Sequence, residues 1–189
     1  MMKNFDVDRI HTILNPVNDD EMLQLSNNGQ KHAAVLIPLI WHENQWNILF
    51  TKRTETIPHH KGQISFPGGM FDPEDQNMHE TALRETEEEL GVSRDTIQTL
   101  GCMDDFIAVS GVTISPYVGI LLWPQRLSLS IEEVSHIIIM PVKWLADPSH
   151  YEEREYRGFN GVIYYQAYQG EILWGITAYL TKTFLENFE

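Results

Sequence analysis

Glu85, Glu88 and Glu89 stand at i, i+3 and i+4 in the run Leu83-Arg84-Glu85-Thr86-Glu87-Glu88-Glu89. In a helix that spacing brings three carboxylates to one face. Like charges at i, i+4 each cost on the order of 0.2–0.5 kcal/mol in an isolated helix, so something must offset them. A divalent cation can do so, because Mg²⁺ takes oxygen ligands and commonly joins carboxylates to substrate phosphates. A glycine turn, Phe66-Pro67-Gly68-Gly69, precedes the run, with Asp72-Pro73-Glu74-Asp75 between them. Gly69 has no side chain to keep its backbone away from such a cation. A solvated acidic surface is the ordinary alternative for clustered glutamates. The glycine turn, the Arg84-Glu85 pair and the spacing to Gly91 argue against it here.

The elements that must hold these residues are legible in outline. Asn77, with Glu80 three residues on, resembles a capping box and starts a helix. Met78, Ala82, Leu83, Thr86 and Leu90 give that helix an inward face, and Gly91 ends it. Upstream, Ala33–Trp41 reads as a buried strand in which Pro38 marks an interruption or an edge. Trp46–Phe50 follows across the turn His42-Glu43-Asn44-Gln45 and completes a hairpin. A long loop then runs from Thr54 to Pro67. Downstream, strands are expected over Ile97–Val109, Thr113–Leu122 and Ile137–Met140, with a hairpin turning at Asn160-Gly161. Ile172, Leu173, Ile176, Leu180, Phe184 and Phe188 predict a docked terminal helix. Residues 5–26 read as one or two short helices, broken at Pro16, on the outside of the main unit. Strands around a central helix, closed by a terminal helix, predict a mixed α/β sandwich: a helical extension over 1–30 and one domain over 31–189.

Composition narrows the function classes. Hydrophobic residues make up 42% of the 189 and charged residues 21%, a globular balance that excludes a disordered chain. The net charge of −14 disfavours general nucleic-acid binding. Five of the acids fall within Glu80–Glu89. Against that background Lys52, Arg53, His59, His60 and Lys61, broken by the single acid Glu55, form a local basic cluster suited to an anionic substrate. The single cysteine, Cys102, excludes an intrachain disulfide and reads as a packed residue rather than a nucleophile. The first residues lack an apolar signal region, and the apolar run Ala33–Trp41 is too short to span a bilayer. The expectation is a cytoplasmic protein that does not enter membranes. A homodimer is compatible with the sequence.

The stretch from Gly69 to Val92 resembles the Nudix box, carried by Arg84, Glu85, Glu88, Glu89, Gly91 and Val92. Asp75 stands where that box has its first glutamate, one residue further from Arg84 than usual, and Thr86 replaces an apolar residue. The same longer spacing is found in the coenzyme A pyrophosphatase branch of the family. Leu49-Phe50-Thr51-Lys52-Arg53, Gly62-Gln63 and Phe66-Pro67-Gly68-Gly69 resemble that branch's upstream signature, as Trp174-Gly175-Ile176-Thr177-Ala178 resembles its end. Pro58 occupies the position of an expected arginine.

The resemblance implies an α/β/α sandwich with a mixed sheet, and a Mg²⁺- or Mn²⁺-dependent hydrolase of a small nucleotide. Glu85, Glu88, Glu89 and the Gly69 backbone would hold the metal. Glu88 would be a ligand or base, and Glu85 and Arg84 would complete the catalytic group. Lys52, Arg53, His60 and Gly68 would meet the substrate. Glu132 and Glu133 lie where related enzymes carry an acid near the site. The substrate is read as coenzyme A or a derivative. Pro58 keeps open another nucleoside diphosphate derivative, such as ADP-ribose or a dinucleotide. A catalytically silent binding module is a third reading, against which the intact glutamates argue.

Overall fold

The computed structural model describes residues 6–17, 31–56 and 61–187. Strands β1 (His32–His42) and β2 (Gln45–Arg53) form the expected hairpin, paired from Leu39↔Ile48 to His42↔Gln45. Its two turn residues, Glu43 and Asn44, have φ of 52° and 59°, as a tight hairpin requires. Beyond Leu39 the two strands part, and a wedge fills the gap. β3 (Ile64–Ser65) pairs with Lys52 and Thr51 of β2, while β4 (Gly68–Met70) pairs with Ala33–Val35 of β1. The stretch read as a loop from Thr54 to Pro67 therefore contains a strand. It was hidden because two residues are too few to carry a period. Pro38 neither interrupts β1 nor lies at an edge. It falls where that side of β1 changes partner from β4 to β2.

Helix α1 (Met78–Leu90) packs on β1 and β4. β5 (Ile97–Cys102) and β6 (Phe106–Ile107) both pair with β7 (Thr113–Leu121), which runs parallel to β1 from His32↔Thr113 to Leu39↔Ile120. β8 (Val134–Pro141) lies antiparallel to the other side of β2. The result is a mixed sheet of eight strands. Then come α2 (Val142–Leu145), a separate hairpin of β9 (Tyr151–Tyr156) and β10 (Phe159–Tyr165), and α3 (Gly175–Glu186). The hairpin turns at Arg157-Gly158, with φ of 51° and 83°, rather than at Asn160-Gly161. Asn160-Gly161 instead forms a bulge, where the register shifts between Phe159 and Val162.

Strand alternation sorts the core. Ile37, Leu39, Ile48 and Phe50 join Ala178, Leu180 and Phe184 of α3 in one cluster. Ile40 and Leu49 face the other way, with Leu90 of α1. Ala34 meets Met78 and Ala82. Helices thus cover both faces of the sheet, as the α/β/α reading expects. At the N-terminal end a 3₁₀ helix, Val7–Thr12, sends Ile10 into the first cluster, and Asn15 bridges to Cys102. Residues 18–30 of the expected extension lie outside the described residues. Cys102 is half-buried at the end of β5 rather than packed in the core.

Candidate active site

α1 begins where its cap predicts. The Asn77 side chain accepts from the Glu80 amide at 2.8 Å, while Glu80 Oε2 accepts from the Gln76 amide at 2.7 Å. Gly91, at φ 67°, closes the helix. The inward face differs from its expectation at three positions: Leu83 is only half-buried, and Thr81 and Glu89 are buried. Thr86 can replace an apolar residue because its hydroxyl donates back to the Ala82 carbonyl at 2.6 Å, leaving nothing unsatisfied.

Arg84 organises the exposed side of the helix. Its Nε and Nη2 donate to the two Asp75 oxygens at 2.8 and 3.0 Å. Nη1 donates to Glu85 Oε1 at 2.9 Å and Glu88 Oε2 at 3.2 Å. Asp75 also accepts from Thr81 Oγ1 at 2.7 Å and the Asp72 amide at 3.1 Å. Burial pushes the Asp75 carboxyl up, but the bonds from Arg84, Thr81 and Asp72 together outweigh it and hold it below the usual range. Asp75 is the anchor that sequence reasoning passed over. Its distance from Arg84 was visible, but the bidentate pairing was not.

Glu85 lies against β4. A Cβ on Gly69 would fall 2.4 Å from the Glu85 carboxylate, so the bare backbone makes room for it. Gly68, expected at the substrate, has a packing role: a Cβ there would strike the Ala34 carbonyl oxygen at 2.3 Å. Burial raises the Glu85 pKa; Arg84 works against this, and the charges of Glu88 and Glu133 add to it.

Glu89 is the extreme case, at 2% exposure. Its pKa is pushed up to about 8, first by burial and then by the charges of Glu133 and Glu85, with Arg53 pulling the other way. Arg53 Nη1 stands 3.7 Å from Glu89 Oε1. Neither Glu89 Oε2 nor Arg53 Nε has a hydrogen-bond partner, although both are buried.

The expected site residues therefore divide. Arg84, Glu85, Glu88, Glu89, Gly69 and Arg53 come together, and Glu133, just before β8, acts electrostatically on both Glu85 and Glu89. Glu132 instead offers its backbone carbonyl to Thr54 Oγ1 at 2.9 Å. Lys52 does not join. It directly precedes Arg53 in β2, but its side chain leaves away from Glu89. There it pairs with Glu171 at 2.5 Å, a carboxylate it shares with His136. His60 and Pro58 lie outside the described residues.

Among the described residues, no three acid, histidine or cysteine side chains stand close enough together to hold an ion. Arg84 lies between Glu85 and Glu88, and Glu89 faces Arg53. The donor set nevertheless fits a divalent cation. It is entirely oxygen, it includes a buried carboxylate oxygen without a partner, and it sits against a backbone kept bare. Among the described residues no helix is long and apolar enough to cross a membrane.

Comparisons with known proteins bear on the family and the fold. A model described as the NUDIX domain matches residues 30–162. A protein of Photorhabdus laumondii named uncharacterized Nudix hydrolase NudL is 38% identical over 159 residues, covering 82% of this chain and 83% of its own length. Its namesake from Pectobacterium atrosepticum is 34% identical over 151 residues, covering 79% and 78%. Among solved structures, a MutT/nudix family protein from Enterococcus faecalis aligns with a TM-score of 0.54 at 15% identity, covering 80% of this chain and 60% of that one. A C. elegans Ap4A hydrolase in a binary complex gives 0.51 at 19%, covering 59% and 80%. The two structural matches speak to the fold alone, while the domain match and the identities decide the family: this chain is an enzyme of the Nudix hydrolase family.

Proposed function

We propose that the protein is a Mg²⁺-dependent pyrophosphatase that hydrolyses the phosphoanhydride of coenzyme A or its derivatives to adenosine 3′,5′-bisphosphate and 4′-phosphopantetheine. The observation that carries the reaction type is Glu89, buried at 2% exposure with one oxygen unpartnered on the motif helix. A buried carboxylate oxygen left without a hydrogen bond is costly, and a cation would offset that cost. Bound there, a dication would supply neutralisation of phosphate charge and activation of a water.

The chain's own residues take separate tasks. Glu85, fixed by Arg84 beside Gly69, and Glu89 are the ligands. Glu88, more than half exposed, stands at the rim as ligand or base, with Glu133 the second acid in reach. Arg53 meets the anionic substrate, and His60 keeps that role as an expectation. Lys52 is turned away.

Two stretches that resemble the coenzyme A branch support that substrate, because they meet in space. Thr177 Oγ1 donates to the Ile64 carbonyl at 3.1 Å, which ties the terminal motif to the wedge leading into Gly68-Gly69. Pro58, in place of an arginine, favours a second reading: another nucleoside diphosphate derivative, such as ADP-ribose or a dinucleotide.

One assay separates these. The protein is incubated with coenzyme A, ADP-ribose and dinucleotides in Mg²⁺ or Mn²⁺, and the products are resolved. Coenzyme A is expected to give the highest kcat/KM, with cleavage at the anhydride. Turnover of ADP-ribose well above coenzyme A would transfer the assignment to the second reading, and no turnover of any would leave a silent binding module.

A further inference from the structure

Two arginines face buried acids at this site, and they are held differently. Arg84 grips Asp75 with two bonds of 2.8 and 3.0 Å, and every oxygen of Asp75 is satisfied. Arg53 stands 3.7 Å from Glu89, within ion-pair range but too far for a hydrogen bond. Each of the pair keeps a buried atom without a partner, Arg53 Nε and Glu89 Oε2. Towards Glu89, the planar fork that makes arginine a good carboxylate partner is therefore unused. Among the described residues, charge holds Arg53 there, in a neighbourhood that also holds Glu85 and Glu133. Its backbone is at the last residue of β2, where its amide donates to the Gln63 carbonyl at 2.9 Å in the segment that enters the wedge.

We propose that Arg53 is the resident counter-ion of Glu89 in the metal-free enzyme, exchanged for the cation on metal binding and thereby released to the substrate phosphate. This rests on the reading of Glu89 as a metal ligand. A dication and a guanidinium cannot both sit against one carboxylate without repulsion in a poorly solvated site. The cation therefore competes with Arg53, and the phosphate takes up the displaced charge. Arg53 opposes metal binding in the free enzyme and supports substrate binding once metal is present. A merely orienting arginine would have the first effect reversed.

The test is Mn²⁺ binding to the purified chain, by calorimetry and by the electron paramagnetic resonance signal of free Mn²⁺, for wild type, R53Q and R53K. R53Q is expected to bind Mn²⁺ at least about threefold more tightly than wild type, with R53K close to wild type. R53Q is also expected to show a raised KM for the nucleotide substrate. R53Q binding Mn²⁺ as weakly as wild type, or more weakly, overturns the proposal and leaves the metal site standing. A wild-type chain that binds no Mn²⁺ overturns both. Should R53Q fail to fold, the Arg53 Nε–H resonance of ¹⁵N-labelled wild type, assigned by its loss in R53K, decides. A shift on saturation with Mg²⁺ supports the exchange, and an unmoved resonance overturns it.

Discussion

Asp75 and Glu89 are both buried acids facing an arginine, yet their pKa values move in opposite directions. Asp75 collects four hydrogen bonds and stays charged. Glu89 has a distant guanidinium, an unpartnered oxygen and two acids nearby, and burial pushes it up to about 8. The sign of the consequence follows from proton counting. Between the ordinary 4.5 and about 8 the folded chain keeps a proton that the unfolded chain has lost. Stability of the metal-free protein therefore falls as pH rises through that window. Thermal melts in chelator from pH 6 to 8 should show a declining Tm that flattens in Glu89→Gln, whose side chain cannot titrate. A cation needs the same carboxylate ionised, so Mg²⁺ affinity should rise across the same window. Glu89→Gln should fold normally and lose about 10²–10³-fold in kcat/KM, the scale of removing one transition-state-stabilising group. Full activity in that variant would remove Glu89 from the site.

At the scale of elements, α1 and the wedge between β1 and β2 act as one device. The helix was legible because its cap, its period and Gly91 all point the same way, and Asn77 accepts from Glu80 as the capping pattern requires. Asn77→Ala should cost about 1 kcal/mol, read as a lowered denaturation midpoint. The wedge was hidden, since β3 and β4 are too short to show alternation. So was the divergence of Lys52 and Arg53, which a basic cluster seen only as composition lumps together. Their partners separate them: Arg53 faces Glu89, and Lys52 is spent on Glu171. Lys52→Ala should accordingly leave KM within about twofold, the scale on which a surface ion pair matters, while Arg53→Ala raises it. Equal KM effects would contradict the two-faced assignment. Gly69→Ala should cut activity far more than stability, because the new Cβ would land on the Glu85 carboxylate rather than in the core.

Across the whole molecule, the sheet divides two tasks between its faces. One carries α1 and the acids; the other carries α3 and the larger apolar cluster, in which Phe184 is fully buried. Phe184→Ala should destabilise by about 3–5 kcal/mol. It should nonetheless leave Mn²⁺ affinity unchanged at temperatures where the chain stays folded. The sandwich and the motif helix could be read from the sequence because both rest on local period and capping. The turn at Arg157-Gly158 could not, because Asn160-Gly161 is the stronger local turn signal and only the pairing of β9 with β10 turns it into a bulge. The nearness of Glu133 to Glu85 and Glu89 was anticipated only through the family resemblance, because it depends on β8 pairing with β2 across a long sequence separation. The most direct test of the account is anomalous diffraction from crystals grown with Mn²⁺. A single strong peak bounded by the Glu85 and Glu89 carboxylates and the Gly69 backbone is the predicted result. An empty acid face, or manganese bound only elsewhere on the molecule, would contradict it.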